Sequence, residues 1–330
     1  MPLAHERLAA ALDEAYEAGY VGRNILGTDF GVDVILHWGA GAYVVGEETA
    51  LIESLEGERG MPRLKPPYFP ASIGLYGLPT IVNNVETLSN LPFIATEGAA
   101  GYTSIGTETS PGTRMIAVSG HVARPGVYEI VNGSTTFRDL IYGDDFCQGI
   151  RDGNELKAFV PGGGSAPWFL PDQLDVPFEG PAASAAGSML GSGAVMVMDD
   201  TTDIPEAALS LVKFYAHESC GKCTPCREGG TWLFRICERI AAGHGTQDDL
   251  DTILEIGQSI CPGPMPHASS ERLGLEATPF PFKMTTICFV GPSAYTAIHS
   301  ALTLFPDEFE AKVSPGPRRK TIPVTAGAPE

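Results

Sequence analysis

Basic residues are scarce in this sequence of 330 residues: 21 Lys and Arg stand against 40 Asp and Glu, a formal net charge of −19. Such an acidic chain repels a phosphate backbone and an anionic lipid surface, which argues against nucleic acid as a partner. The sequence also lacks an apolar run of the roughly 18 residues that a membrane-spanning helix needs. Its N-terminal segment is acidic and amphipathic, unlike a signal peptide. We therefore expect a cytoplasmic protein with no direct membrane insertion.

Cysteine is also sparse, and the total of seven is odd, which does not suit a complete disulfide framework. Three of the seven form the run Cys220-Gly221-Lys222-Cys223-Thr224-Pro225-Cys226. This spacing places three thiolates on one loop, where they can bind three irons of a 4Fe-4S cluster and leave the fourth iron to a distant cysteine. Zinc is the main alternative, but structural zinc sites usually use two separated cysteine pairs or add histidines, and neither pattern occurs here. The run predicts a 4Fe-4S cluster.

The fourth cysteine of this cluster is not fixed by spacing. Cys237 lies on the apolar face of a predicted helix and is most simply a packed core residue. Cys147 falls in a different predicted domain. Cys261 and Cys288 each follow an isoleucine and precede loop-like residues, so both remain candidates.

Residues around the run suggest how the cluster is tuned. Gly221 allows a close backbone approach and N–H···S bonds, and Lys222 and Arg227 place positive charge beside the thiolates. Ordinary solvation of these two cations is the alternative. His217 could modulate the cluster, although a helix-capping role is the simpler interpretation.

The pattern of apolar residues predicts several regions along the chain. The run 32–38 is typical of a strand and leads through glycines into a helix over 42–55, which together would form an α/β unit. Short strands with Gly-rich turns follow in 109–200. Four helical apolar stripes then occupy 201–312, with the cysteine run between the first two helices. The Pro-rich tail from 313 to 330 is predicted to be disordered.

A glycine-rich stretch runs from Gly39 to Glu48, but it does not match the dinucleotide fingerprint G-x-G-x-x-G. Its adjacent carboxylates, Glu47 and Glu48, would repel phosphate but could accept hydrogen bonds from ribose or flavin hydroxyls. The commoner situation is a helix N-terminus whose acidic residues complement the helix dipole. Both interpretations stay open.

Residues 214–229, Phe-Tyr-Ala-His-Glu-Ser-Cys-Gly-Lys-Cys-Thr-Pro-Cys-Arg-Glu-Gly, resemble the signature of the NADH-binding flavoprotein subunit, the F subunit, of NADH-quinone oxidoreductase, respiratory complex I. The resemblance covers nearly all of residues 5 to 312. It continues in four further segments, Gly39 to Leu51, Pro62 to Pro67, Val82 to Thr87 and Gly187 to Gly191.

The resemblance implies a fold of the α/β plus β-grasp plus α kind. Residues 1–108 would be the C-terminal part of a Rossmann-like FMN/NADH-binding domain, 109–200 a small ubiquitin-like β-grasp (SLBB) domain, and 201–312 a helical bundle of four helices that carries the cluster. The family's flavin domain opens with an Arg-Gly-Arg-Gly-Gly-Ala-Gly stretch that cradles the FMN phosphate. This sequence begins after that stretch, so we expect a chain that is N-terminally truncated relative to the family and does not by itself account for how FMN is held.

The resemblance also assigns residues to cofactors. By motif position, the residues expected to face FMN are Tyr43, Gly46, Glu47, Glu48, Asn83, Asn84 and Thr87. Those expected to contact NADH are Glu48, Lys65 and Tyr68. The family's fourth cluster ligand precedes the last helix, which favours Cys288 beside Cys220, Cys223 and Cys226. An apparent insertion from Cys261 to Phe282 lengthens the spacing to Cys288, so Cys261 stays an alternative.

The function implied is that of an electron-input subunit, in which a hydride passes from NADH to FMN and electrons leave singly through the 4Fe-4S cluster toward quinone. Its expected partners are a thioredoxin-like 2Fe-2S subunit and a large iron-sulfur subunit, which would hold it at the periphery of the inner membrane. Two alternatives remain: the diaphorase subunit of an NAD-linked hydrogenase or formate dehydrogenase, and an iron-sulfur relay subunit without flavin.

Overall fold

A computed structural model describes residues 2–316 of the chain. It divides into two compact units: one comprises residues 2–61 and Tyr68–Thr80, and the other comprises Pro62–Pro67 and residues 81–316. The fold is mixed α/β with one four-stranded sheet. No helix within residues 2–316 is long and apolar enough to cross a bilayer.

The first unit contains two α-helices, α1 (Pro2–Glu17) and α2 (Glu48–Leu55). The strand predicted over 32–38 is wrong: Val32 forms a single bridge with Gly22, and the residues that follow it belong to no strand. Apolar side chains alone do not make a strand, because its backbone groups need a neighbouring ladder. Of the predicted helix over 42–55, only the part from Glu48 is α-helical, and a 3₁₀ turn over Tyr43–Gly46 precedes it.

The second unit begins its regular structure with α3 (Val85–Ser89) and α4 (Leu91–Thr103). Four strands then form one sheet in the order β2-β1-β4-β3, in which β1 and β4 are parallel and the outer pairs are antiparallel. Their bounds are β1 (Thr113–Gly120), β2 (Gly126–Val131), β3 (Leu156–Val160) and β4 (Ala194–Asp199). The strands predicted from apolar runs in this part of the chain are confirmed.

Two short helices accompany this sheet, α5 (Phe137–Tyr142) and α6 (Gly180–Ala185). Thr136 and Asp139 form a capping box that begins α5. The core of the sheet region is aromatic, because the rings of Phe137 and Phe178 lie 4.1 Å apart and the Phe159 ring lies 5.1 Å from that of Phe137.

Four longer helices share a second apolar core: α7 (Ile204–Glu218), α8 (Thr224–Ala241), α9 (Gln247–Ile260) and α10 (Val290–Leu304). Helix α7 packs on α8 and α10, and α9 packs on α8 and α10. A Cβ at Gly257 would lie 1.9 Å from the Tyr295 ring, so only glycine allows α9 and α10 to come this close. Asp203 is the N-cap of α7, where its side chain accepts from the Glu206 N–H.

A short helix, α11 (Pro306–Glu310), follows α10. Strand β5 (Gly245–Thr246) then pairs in parallel with β6 (Val313–Ser314). The prediction of disorder is therefore wrong for Val313 and Ser314, the first residues of that tail, which pair with the short strand between α8 and α9. The remainder of that tail, 317–330, lies outside the described residues.

Candidate functional site

The cysteine run occupies the turn between α7 and α8. Cys223 is the N-cap residue of α8, and Cys226 lies in the first turn of this helix, where it is buried. Cys220 and Cys223 are half-buried. Cys223 and Cys226 therefore lie beside the first amides of α8 and the positive end of its dipole, and burial raises the pKa of the Cys226 thiol.

Cys288 lies just before α10 and comes to the same place. The Ile287 N–H donates to Cys223 Sγ at 3.3 Å. The pKa of the Cys288 thiol is raised to about 11, chiefly by burial and also by the nearby thiols of the cysteine run, foremost Cys226. A Cβ at Gly291 would meet the Cys226 Cβ at 3.0 Å, so this glycine lets α10 lie against the run. The structure brings Cys288 together with the three cysteines of the run.

The other cysteines lie in the cores. Cys261 is 1% exposed, and burial raises the pKa of its thiol to about 12. Cys237 is buried in α8, and burial likewise raises the pKa of its thiol to about 12. Cys147 belongs to the core of the sheet region. The packed role predicted for Cys237 agrees with this position.

Four cysteine thiols are the donor set that a 4Fe-4S cluster takes. Within residues 2–316, no three His, Cys, Asp or Glu side chains close around one metal position. In a 4Fe-4S cluster each thiolate binds a different iron, so four thiols spread over a loop and a helix start fit this group. Two further contacts satisfy the sulfurs, since Ser219 Oγ lies 3.3 Å from Cys226 Sγ and the Ile287 N–H reaches Cys223.

The charged neighbours of the run are already engaged. Lys222 donates through Nζ to the Pro62 carbonyl at 2.7 Å, and Arg227 donates to the Gly221 carbonyl at 2.6 Å while pairing with Glu228. The Gly221 N–H donates to Ser219 Oγ rather than to a sulfur, in a backbone with φ of +84° that favours glycine. The N–H···S bond expected of Gly221 comes instead from Ile287.

His217 does not take part in this arrangement. Its Nδ1 lies 2.9 Å from the Glu218 carboxylate, and its side chain is 83% exposed. The interpretation without a cluster role agrees with this position.

Four of the residues predicted to face FMN belong to the first unit. Tyr43 and Gly46 delimit the 3₁₀ turn before α2, and Tyr43 is 67% exposed. Glu47 is the N-cap of α2, and its carboxylate accepts from the Thr49 and Ala50 amides at 3.0 and 2.9 Å. Glu48, also predicted to contact NADH, is the first residue of α2. The capping interpretation of these carboxylates thus describes Glu47.

Tyr68 also belongs to the first unit and is exposed. The other predicted residues, Lys65, Asn83, Asn84 and Thr87, belong to the second unit. Asn84 caps α3 by accepting from the Glu86 N–H at 2.8 Å. Lys65 lies in the Pro62–Pro67 segment, which the Lys222 ammonium contacts. The cysteine loop and a predicted NADH-binding segment are therefore directly connected.

Sequence reasoning missed Ile287, Gly291, Ser219 and the carbonyl of Pro62. Three of these contact the site through backbone atoms or through the lack of a side chain, and such roles leave no mark on residue type. Ser219 is the exception, because a hydroxyl next to the first cysteine could have been recognised as a hydrogen-bond partner for sulfur.

Two family models match parts of this chain. Residues 206–265 match a family model described as the NADH-ubiquinone oxidoreductase-F iron-sulfur binding region, and residues 1–93 match the Nuo51 FMN-binding domain. The F subunit of NADH-quinone oxidoreductase in Rickettsia bellii is 42% identical over 308 residues, which are 92% of this chain and 67% of that protein. The chain belongs to the family of NADH-quinone oxidoreductase F subunits.

Other members of this family are at least as similar. The protein from Mycobacterium bovis is 45% identical over 310 residues, and that from Streptomyces coelicolor is 44% identical over 308 residues. The match with the Mycobacterium bovis protein covers 94% of this chain and 64% of that protein. The match with the Streptomyces coelicolor protein covers 93% of this chain and 63% of that protein. The family predicted from the motifs is confirmed, and the two family models support FMN and a 4Fe-4S cluster as its cofactors.

Solved structures show the same likeness. An NAD⁺-reducing [NiFe]-hydrogenase in its air-oxidized state matches with a TM-score of 0.71 and 34% sequence identity, covering 86% of this chain and 44% of that one. Its H₂-reduced state matches with a TM-score of 0.69 and 35% identity, covering 84% and 43%.

Proposed function

We propose that this chain is an electron-input subunit of an NADH:quinone oxidoreductase of the complex I type, which takes electrons from NADH through FMN. The observation that carries the proposal is the meeting of Cys288 with Cys220, Cys223 and Cys226, joined by the Ile287 N–H···Sγ bond of 3.3 Å. These four cysteines would hold the 4Fe-4S cluster. When bound, FMN supplies hydride acceptance and the cluster one-electron transfer.

The chain's own residues have positioning roles in this proposal. Tyr43, Gly46, Glu47, Glu48, Asn83, Asn84 and Thr87 would face FMN, and Glu48, Lys65 and Tyr68 would contact NADH. The Glu47 and Asn84 side chains already fix the starts of α2 and α3, so they would act by holding the backbone there. Lys222, through the Pro62 carbonyl, would fix the segment that carries Lys65.

The finer architecture follows the same proposal. Residues 1–108 would be the C-terminal part of a Rossmann-like FMN/NADH domain, the four-stranded sheet with α5 a β-grasp domain within 109–200, and helices α7 to α10 a four-helix bundle within 201–312. The partners would be a thioredoxin-like 2Fe-2S subunit and a large iron-sulfur subunit. Through them the chain would lie on the cytoplasmic side, peripheral to the inner membrane.

Cluster content and NADH oxidation test the proposal. Anaerobically purified protein should contain about four irons and four sulfides per chain and reduce ferricyanide with NADH when FMN is supplied. Cys288→Ser should remove the reduced-state EPR signal, as should Cys223→Ser. The matched controls, Cys261→Ser and Cys237→Ala, should retain it. Zinc in place of iron, or loss of the signal in Cys261→Ser with retention in Cys288→Ser, would contradict the assignment.

A diaphorase role is the second candidate, favoured by the likeness to an NAD⁺-reducing hydrogenase at 34% identity and a TM-score of 0.71. The same chemistry would then serve a hydrogenase or a formate dehydrogenase. Purification of a tagged chain from its native cells separates the two: co-purifying quinone-reducing subunits support complex I, whereas a nickel- or molybdenum-containing partner supports the diaphorase.

An iron-sulfur relay without flavin is the third candidate, and the engagement of Glu47 and Asn84 in helix capping is compatible with it. A fluorescence titration with FMN distinguishes this relay from the flavin-dependent function. Saturable quenching supports the flavin-dependent function, whereas a chain loaded with cluster that shows no saturable binding supports the relay.

A further inference from the structure

Residues 261–284 form the segment between α9 and α10. This segment leaves the end of α9 and returns to the end of α9. Helix α9 ends at Ile260. The chain comes back at Thr285, whose N–H donates to the Ile260 carbonyl at 2.9 Å and whose hydroxyl donates to the Ser259 carbonyl at 2.7 Å. We call residues 261–284 the inserted segment. Its closed neck explains how the spacing to Cys288 can be long without moving Cys288 away from the cysteine run.

The inserted segment first forms a narrow antiparallel hairpin. His267 pairs with Thr278, and Ser270 pairs with Leu275, each through two backbone hydrogen bonds of 2.9 to 3.2 Å. Its tip reaches the end of α10, because Arg272 Nη2 donates to the Leu304 carbonyl. The hairpin is therefore an ordered part of the fold.

The inserted segment is also bonded to the sheet region. Gln173 donates through Nε2 to Ser269 Oγ at 2.9 Å. The His267 carbonyl passes so close to Gly187 that a Cβ there would lie 2.0 Å from it. Phe280 is held twice by α6, since its N–H donates to the Ser184 carbonyl at 3.2 Å and its carbonyl accepts from Ser184 Oγ at 2.6 Å.

The returning limb ends in an aromatic cluster beside the fourth cysteine. The Phe282 ring lies 5.5 Å from the rings of both Phe280 and Phe289, and the Phe280 and Phe289 centroids are 6.4 Å apart. These separations are typical of attractive aromatic pairs. Phe289 follows Cys288 directly and is the N-cap residue of α10, where its carbonyl accepts from Ser293 Oγ at 2.6 Å.

We propose that Phe280 and Phe282 are positioning residues for the cluster cysteine Cys288, a role that rests on the proposed function. Thr285 fixes the chain on one side of Cys288 through the neck of the inserted segment. Phe289 fixes it on the other side, through the two rings of the inserted segment and, behind them, through α6. The inserted segment thereby ties the fourth cysteine to the sheet region.

Removing the aromatic contact should leave the Cys288 thiol present but hold it less firmly in position. Outer-shell partners of metal ligands change metal affinity by about 10-fold to 100-fold when they are lost. We therefore expect Phe282→Ala to hold about four irons per chain when freshly prepared but to release them to a chelator about tenfold faster than the wild type. Its reduced-state EPR g values should shift, because the geometry at one iron changes.

Three further variants give the test its controls. Phe282→Tyr keeps the ring and should restore wild-type iron release and EPR. Ser184→Ala, which removes one of the two bonds to Phe280, should shift both readouts in the same direction by a smaller amount. Arg272→Ala breaks the contact with the Leu304 carbonyl and leaves the rings in place, so it should match the wild type.

Iron release and g values in Phe282→Ala that equal those of the wild type would overturn the inference, as would an Arg272→Ala variant that behaves like Phe282→Ala. A wild-type chain that holds no cluster at all would contradict the proposed function instead. In that case the positioning role is still tested on metal-free protein, by the rate at which iodoacetamide alkylates Cys288. Faster alkylation in Phe282→Ala than in Phe282→Tyr would uphold the positioning role, and equal rates would overturn it.

Discussion

The helical region, formed by helices α7 to α10, and the first unit differ in how many of their side chains are buried. Helix α10 alone buries eleven of its fifteen residues, whereas the first unit, within residues 2–61 and 68–80, buries Ala50 and Ile52 as its hydrophobic core side chains. Ile35 there is 86% exposed and Leu26 is 72% exposed. The cysteines proposed to hold the cluster therefore adjoin well-packed helices, while several residues proposed to face FMN lie on backbone turns with little core beneath them.

Amide exchange should show the largest difference between the two regions. Residues 33–42 contribute no helix or strand, whereas the amides of α8 and α10 are in helices that pack on the apolar core. Local stability follows buried contacts and protected hydrogen bonds. Hydrogen-exchange mass spectrometry should find 33–42 exchanged within seconds and the centre of α10 protected at least about a thousandfold more. Equal protection in both would contradict the comparison.

Replacing one leucine by alanine in each region tests the same difference in burial. Leu233 in α8 is fully buried, and Leu233→Ala should lower the free energy of unfolding by about 3 kcal/mol, because it leaves a cavity. Leu26→Ala, at an exposed position, should change it by less than about 0.5 kcal/mol. Urea denaturation followed by circular dichroism measures both. A cost at Leu26 equal to that at Leu233 would show that the first unit has a core of its own.

A buried carboxylate in the sheet region predicts a pH dependence. Asp199 is buried; although burial by itself raises its pKa, hydrogen bonds from Thr201, Asn154, His121 and Arg151 hold that pKa well below its ordinary value. A carboxylate with a lowered folded-state pKa adds stability above its unfolded pKa, about 4, and this stability is lost as the pH falls toward the folded value.

Asp199→Asn should therefore cost about 2 kcal/mol at pH 7, and the difference from the wild type should shrink below about pH 4. Denaturation curves between pH 2 and 7 measure it. Asp29→Asn, at an exposed position of the first unit, is the matched control and should follow the wild type. A cost for Asp199→Asn that stays constant down to pH 2 would refute the linkage.

The smallest effect is expected at the contact between the cysteine loop and the Pro62–Pro67 segment. Lys222→Met keeps the aliphatic stem and removes the bond to the Pro62 carbonyl, which is worth about 1 kcal/mol. The apparent KM for NADH should rise a few-fold, while iron content stays unchanged. Lys213→Met in α7 is the control. An unchanged KM in Lys222→Met would show that this bond does not position the NADH segment.

Local patterns predicted the second unit well and the first unit poorly. The strands β1 to β4, the capping of α7 by Asp203 and the core position of Cys237 all follow from alternation, caps and apolar faces. The strand predicted over 32–38 failed although Val32, Val34 and Ile35 have the right residue types, because a strand also requires a partner. In this structure Val32, Val34, Ile35 and Trp38 are exposed, and Leu36 is half-buried.

The sequence by itself determined the cysteine run, its cluster chemistry and the family, because these depend on spacings of a few residues that any fold would keep. The tertiary structure brings Cys288 next to the run, by carrying it past a closed inserted segment to a point where Ile287 donates to Cys223. It also decided that Lys222 contacts Pro62 rather than a sulfur. The partners in these two bonds are 64 and 160 residues apart, and only tertiary packing brings groups so distant in the chain within hydrogen-bonding distance.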